Sequence, residues 1–119
     1  MEDYVKFSDL LGKTLVSIEK TKDEILFKTT EGESYKAYHS QDCCESVELE
    51  DIEGNLNDLI GTPLTQAEEV TNSEDNMGRS LDSFTWTFYK LATIKGYVTM
   101  RWLGESNGYY SESVDFLKL

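Results

Sequence analysis

One histidine, two cysteines and two flanking carboxylates crowd into residues 38–47, which read YHSQDCCESV: His39, Asp42, Cys43, Cys44 and Glu45. Imidazole, thiolate and carboxylate are the side chains that bind zinc, and no other stretch of the chain brings all three together. Three residues separate His39 from Cys43, a spacing that lets a strand end and the following loop turn both side chains toward one ion. Adjacent cysteines are a less common donor pair than C-x-x-C, because an extended backbone points neighbours to opposite faces; a loop relaxes that constraint. The expected site is a structural zinc held by His39, Cys43 and Cys44. A closed site needs a fourth ligand, which Asp42, Glu45 or a carboxylate from elsewhere could supply, and Asp42 is placed in the expected set. The plainer reading makes one cysteine a small buried hydrophobe and His39 a surface strand residue.

Catalysis finds little else to stand on. The chain has a single histidine, no G-x-S-x-G, no H-E-x-x-H, no H-x-E with a distant P-C-x-x-C, and no phosphate-cradling glycine loop, so the usual acid, base and nucleophile sets and the commonest nucleotide sites are missing. A non-enzyme is expected. Two adjacent cysteines do not make a secreted disulfide framework. No run of 18 apolar residues and no signal-peptide pattern are present, so a soluble protein of the cytosol is expected, with no membrane partner.

The elements that must position this cluster are mostly strands. Residues 14–20, 24–30 and 34–40 alternate apolar and polar side chains and are rich in β-branched and aromatic types; the separators TKD and EGE are hairpin-length, so an antiparallel meander is expected. His39 falls at the end of its third strand. Further strands are expected over 46–51, weakly over 65–71, clearly over 83–91, and over 97–103 and 109–116. Short helices are expected at 7–11, stopped by Gly12, and in NLNDLIGTPL, stopped by Gly61; residues 72–82 read as the longest loop. Phe84, Trp86 and Phe88 alternate, and so do Val98, Met100 and Trp102; each triplet is expected to face the core. The fold class is thus mainly β, a β-rich α+β arrangement of antiparallel strands with two short helices.

The chain also echoes itself. DLLGKTLVSIE from Asp9 returns as DLIGTPLTQAE from Asp58, FKTTEGESYKAYH from Phe27 loosely as YKLATIKGYVTMRW, and CESVEL from Cys44 as SESVDF from Ser111. One domain with an internal pseudo-repeat, about 7–52 and 56–117, is expected; this alignment sets His39 opposite Trp102 and leaves metal ligands in the first half alone.

Net charge is −12 over 119 residues, and its placement matters more than its size. Residues 45–82 hold eleven acids against one base, Arg79. Phosphate backbones are repelled by such a block, which disfavours direct nucleic-acid binding. It reads either as a solvated face that maintains solubility or as a surface that docks on a cationic partner, with Glu45, Glu48, Glu50, Asp51, Glu53, Asp58, Glu68 and Glu69 as the candidate contacts. A second candidate surface gathers Arg101, Trp102, Glu105, Ser106, Asn107, Tyr109 and Tyr110 near a turn, where aromatic and arginine side chains anchor partners.

DCCESV, DLIGTPL with AEEV, WTFYKLATIKGYVTMRW and SNGYYSESVDF together resemble a family of small acidic proteins encoded by phages and prophages, over most of the chain from Leu10 onward. The chain further resembles the phage anti-CRISPR proteins that block Cas9, among which acidic surfaces recur. The resemblance implies a monomeric inhibitor in the host cytoplasm that binds a cationic defence protein, a Cas9-type nuclease, and obstructs DNA loading, with zinc ordering the loop after His39. It supplies no catalytic residues. The alternative function is a nucleotide-sequestering anti-defence protein that uses Arg101, Asn107 and the tyrosines.

Overall fold

The computed structural model describes residues 3–21, 23–41, 45–75, 83–106 and 111–119. Nine strands account for most of them: β1 (Asp3–Tyr4), β2 (Leu15–Lys20), β3 (Glu24–Thr29), β4 (Ser34–Tyr38), β5 (Ser46–Glu53), β6 (Gln66–Asp75), β7 (Ser83–Thr93), β8 (Gly96–Ser106) and β9 (Asp115–Lys118). The two expected helices are single 3₁₀ turns, Phe7–Leu10 and Leu56–Leu59, and among the described residues there is no α-helix. Each turn is closed by a glycine in the left-handed region, Gly12 at φ +84° and Gly61 at φ +89°, where a Cβ would be strained. No helix among the described residues is long and apolar enough to cross a membrane.

The strands form two antiparallel sheets, in the order β1-β9-β4-β3-β2 and β5-β8-β7-β6. Each sheet contains a three-strand meander from one half of the chain, β2-β3-β4 or β6-β7-β8, and is extended by the last strand of the other half: β9 pairs with β4 and β5 pairs with β8. The halves therefore exchange their final strands. Where they meet, the contacts are reciprocal: Gly12 N donates to Leu64 O and Gly61 N donates to Leu15 O, both at 2.9 Å, around a bridge between Thr14 and Pro63.

Both sheets contribute to one apolar cluster. Phe7 stacks on Tyr89 with ring centroids 4.0 Å apart, and Phe27, Tyr35 and Phe116 pack edge-on or face-on around them. Val98, Met100 and Trp102 are fully buried, as their alternation predicts. The aromatic triplet of β7 is not: Thr87, Tyr89, Leu91 and Thr93 are buried, while Phe84, Trp86 and Phe88 lie half-exposed on the other face. The reason is register. The tight turn at Ile94 and Lys95 sets Thr87, Tyr89 and Leu91 directly opposite Trp102, Met100 and Val98, and cross-strand partners share a face. Once β8 turns its triplet inward, β7 must turn its own outward.

Strand limits shift too. β6 continues to Asp75, into the stretch read as loop, because Asn72 to Asp75 pair with Trp86 to Ser83. The last strand begins at Asp115, and residues 111–114 run as irregular backbone that leads into it.

Candidate functional site

Strand exchange requires the chain to cross twice between the sheets, from β4 to β5 and from β8 to β9. The two crossings meet at His39. Its Nδ1 lies 2.7 Å from Ser113 O and donates to that carbonyl, while Nε2 lies 2.8 Å from Glu45 Oε2. The His39 side chain is 4% exposed and that of Glu45 0%. Gln41 Nε2 donates to both the backbone and the side chain of Glu45. The second crossing repeats the device with different donors: Glu112, also buried, accepts from Thr85 Oγ1 at 2.7 Å and from Ser106 Oγ. Burying a carboxylate without such partners is costly; Glu45 is satisfied by His39 and Gln41 of its own crossing, and Glu112 by Thr85 and Ser106 of the neighbouring strands. The ESV triplets at 45–47 and 112–114 thus play matching parts. Their equivalence sets Leu49 beside Phe116, and because Leu49 pairs with Trp102 while Phe116 pairs with Ala37, the position matching His39 is Gly104 and not Trp102. A Cβ on Gly104 would meet the Glu112 carbonyl and come within 2.8 Å of its Cβ.

Asp42, Cys43 and Cys44 lie outside the described residues, as do Asn107, Tyr109 and Tyr110. Among the described residues no group of three or more His, Cys, Asp or Glu side chains converges on a metal position. His39 is anchored through Nδ1, the outer contact that ligating histidines make, and its Nε2 faces Glu45. Glu45 is accordingly not on a docking surface; it is buried against His39.

The other acidic candidates separate by face. β5 carries a bulge between Leu49 and Asp51, and an extra residue in a strand leaves consecutive side chains on the outside. Glu48, Glu50, Asp51 and Glu53 are all exposed. Arg101, on the neighbouring strand, reaches Glu50 Oε1 at 3.0 Å and Asp51 Oδ2 at 3.9 Å, and its guanidinium lies 5.3 Å from the centroid of Trp86. Across the sheet the outer face runs Glu48, Leu103, Trp86, Asn72 in one row and Asp51, Arg101, Phe88, Val70 in the next, with Glu53, Thr99, Lys90 and Glu68 beyond. The middle strands carry Leu103, Trp86 and Phe88 together with Arg101, Thr99 and Lys90, and carboxylates stand on both edges. Val70 is 40% exposed. Glu68 belongs to this face. Glu69 points to the opposite face of β6, in register with Tyr89. Asp58 is only half-exposed: its carboxylate packs beneath Gly96 and its carbonyl accepts from Thr93 Oγ1.

The model of a domain of unknown function, DUF7448, matches residues 8–116. The chain belongs to DUF7448. No curated protein and no solved structure matches this DUF7448 chain. The match takes in the first 3₁₀ turn except Phe7, the whole of the second, both crossings and strands β2 to β8.

What sequence reasoning missed at these sites had signals of its own. Glu112 and Ser113 could have been found from the ESV echo, since Glu45 and Glu112 occupy equal places in it. Gln41 carries no such mark. The outward aromatics required the register of β7 against β8, which residue alternation alone leaves undecided between two faces.

Proposed function

We propose that this protein is a phage anti-defence inhibitor that docks the outer face of its β5-β8-β7-β6 sheet on a cationic host protein, a Cas9-type nuclease, and obstructs DNA loading. The observation that carries this reading is the layout of that face: a half-exposed strip of Trp86, Phe88, Leu103 and Val70 with Glu48, Glu50, Asp51 and Glu53 on one edge and Glu68 on the other. Aromatic side chains supply contact energy at interfaces, and a carboxylate rim steers and orients a basic partner. A channel that holds a guide heteroduplex and a displaced strand is basic, and an acidic face seated there competes with DNA.

The test is target-DNA loading by guide-bound Cas9 with increasing protein. Wild type is expected to suppress loading in a saturable way, and Glu48→Lys with Glu53→Lys, or Trp86→Ala alone, to relieve it. Suppression that these variants leave intact would reject the face; no suppression at any concentration would reject the activity.

A structural zinc at the first crossing is the second part of the proposal. Its support is His39, whose Nδ1 is held by the Ser113 carbonyl and whose Nε2 is aimed at a carboxylate in the segment that carries Cys43 and Cys44. His39, Cys43 and Cys44 with Asp42 form the ligand set, and Glu45, already beside Nε2, is the competing fourth ligand. Metal content of untagged protein tests it: about one zinc per chain, lost in Cys43→Ser and Cys44→Ser, is expected, and metal-free wild type with reactive thiols would reject it.

A further inference from the structure

The outer strands of the two sheets are β1, β2, β5 and β6. An outer strand leaves the N–H and C=O of every second residue without a ladder partner, a template on which another strand can pair. Three of the four are blunted: β1 is two residues long, β2 is bulged between Leu15 and Ser17, and β5 is bulged between Leu49 and Asp51. Short strands and bulges are devices that prevent such pairing, and β6 has neither. It runs ten residues, Gln66–Asp75, in unbroken register with β7, and its sequence QAEEVTNSED holds no lysine, arginine or proline. Backbone from the first half closes the side away from β7 only as far as Leu64, whose carbonyl accepts from Gly12 N and whose N–H donates to Lys13 O, at 2.9 Å each. Among the described residues, no strand pairs with β6 on that side.

Space for a further strand lies along this edge. An open groove of about 650 Å³ is lined by Ala67 to Val70 on one side and by Tyr4 to Ser8 on the other. Four consecutive residues of β6 line it, which the edge of a strand offers and a single face does not. Tyr4 is 71% exposed and Val70 40%, so each lip carries an uncovered apolar side chain. Every residue from Glu68 to Asn72 is exposed, and because successive side chains point to opposite faces, β6 is bare on both faces as well as along its edge. We infer that β6 is a docking edge for an extended basic segment of a partner protein, which pairs its backbone with β6 and lies in this groove. Charge selects the occupant: Glu68, Glu69 and Asp115 line the groove against one base, Lys6. A lysine or arginine is favoured as the cross-strand neighbour of Glu68 and of Glu69, and an apolar residue as that of Val70. A second copy of this chain, with a net charge of −12, is repelled from the same edge. The inference rests on the backbone edge and stands whether or not the outer face docks a partner.

The probe is a blocked peptide, Thr-Val-Lys-Lys-Val-Thr, which reads the same in both directions and so presents its lysines to Glu68 and Glu69 in either strand orientation. It is titrated into the 119-residue protein with the backbone amides followed by NMR. The expected result is saturable one-to-one binding that slows hydrogen exchange at alternate amides between Ala67 and Asn72 and is weakened about tenfold by Glu68→Lys with Glu69→Lys. Methylating the peptide nitrogens of one alternate set is expected to abolish binding, and methylating the other set to leave it within about threefold, because one edge of the peptide meets β6. Glu48→Lys with Glu53→Lys, on the far edge of the sheet, is expected to change affinity by less than about twofold. No binding, binding that both methylated peptides retain, an equal loss with the β5 variant, which would show diffuse charge attraction, or a dimer of the protein that pairs β6 with itself would overturn the inference.

Discussion

His39 and Glu45 hold each other inside the protein, and that pairing makes both residues structural wherever else they act. Removing one partner of a buried, hydrogen-bonded ionisable pair leaves the other without compensation. Glu45→Ala is therefore expected to lower unfolding stability by about 3 kcal/mol in a denaturant titration; a loss below about 0.5 kcal/mol, the level of an ordinary surface change, would mean that the pair is not formed. Tyr89→Phe should go the other way. It deletes a buried hydroxyl that lacks a partner, so the variant is expected to be as stable as wild type or more stable by up to about 1 kcal/mol, and a clear loss would show that the hydroxyl is bonded in the free protein. At this scale the sequence was partly readable. The clustering of His39 with carboxylates was visible, but the burial of Glu45 was not, because a charged residue beside a strand start reads as exposed until the strand's exchange partner is known.

At the scale of elements, two devices hold the strands in place. The first is the second crossing, where Gly104 lies against Glu112. Gly104→Ala would force a Cβ into the Glu112 backbone, and overpacking of this kind is expected to cost about 2 kcal/mol; an unchanged melting temperature would contradict the close approach. The second is an ion-pair clamp on the β3–β4 turn, where Glu33 receives Lys118 and Lys13 at 2.8 Å each. Hydrogen bonds from Lys118 and then Lys13 bring the Glu33 carboxyl down to about 2. A carboxyl lowered by folding contributes stability above its unfolded value of 4.5 and loses it as pH falls toward 2. Glu33→Gln should therefore flatten the acid limb of a stability–pH curve between those values, and a limb of unchanged slope would remove the clamp.

Alternation made β2, β3, β4 and β8 legible, since one face of each is apolar. It could not choose the face of β7, where Phe84, Trp86 and Phe88 compete with Thr87, Tyr89 and Leu91; the two-residue turn to β8 decides that. Pairing was further out of reach, because a pattern of two states which side faces inward and says nothing about which neighbour a strand takes. The exchange of β5 and β9 is set by the crossings and by their buried glutamates.

For the whole molecule, the exchange places β5 and β6 at opposite edges of one sheet, and with them most of the exposed carboxylates of the acidic block. The charge count was legible as a number; its division into an outer face, the buried Glu45 and Glu69 on the opposite face of β6 was not, because that division depends on the bulge in β5 and on which side of β6 faces outward. The account's central claim is that the outer face docks on a basic partner. The most direct measurement is the equilibrium affinity of the protein for guide-bound Cas9 at about 0.05 M and about 0.3 M salt, in wild type and in the Glu48→Lys, Glu50→Lys, Glu53→Lys variant. The account predicts one-to-one binding that weakens about tenfold or more with salt and again with charge reversal. Affinity that is indifferent to both, or no binding at either salt, would contradict it.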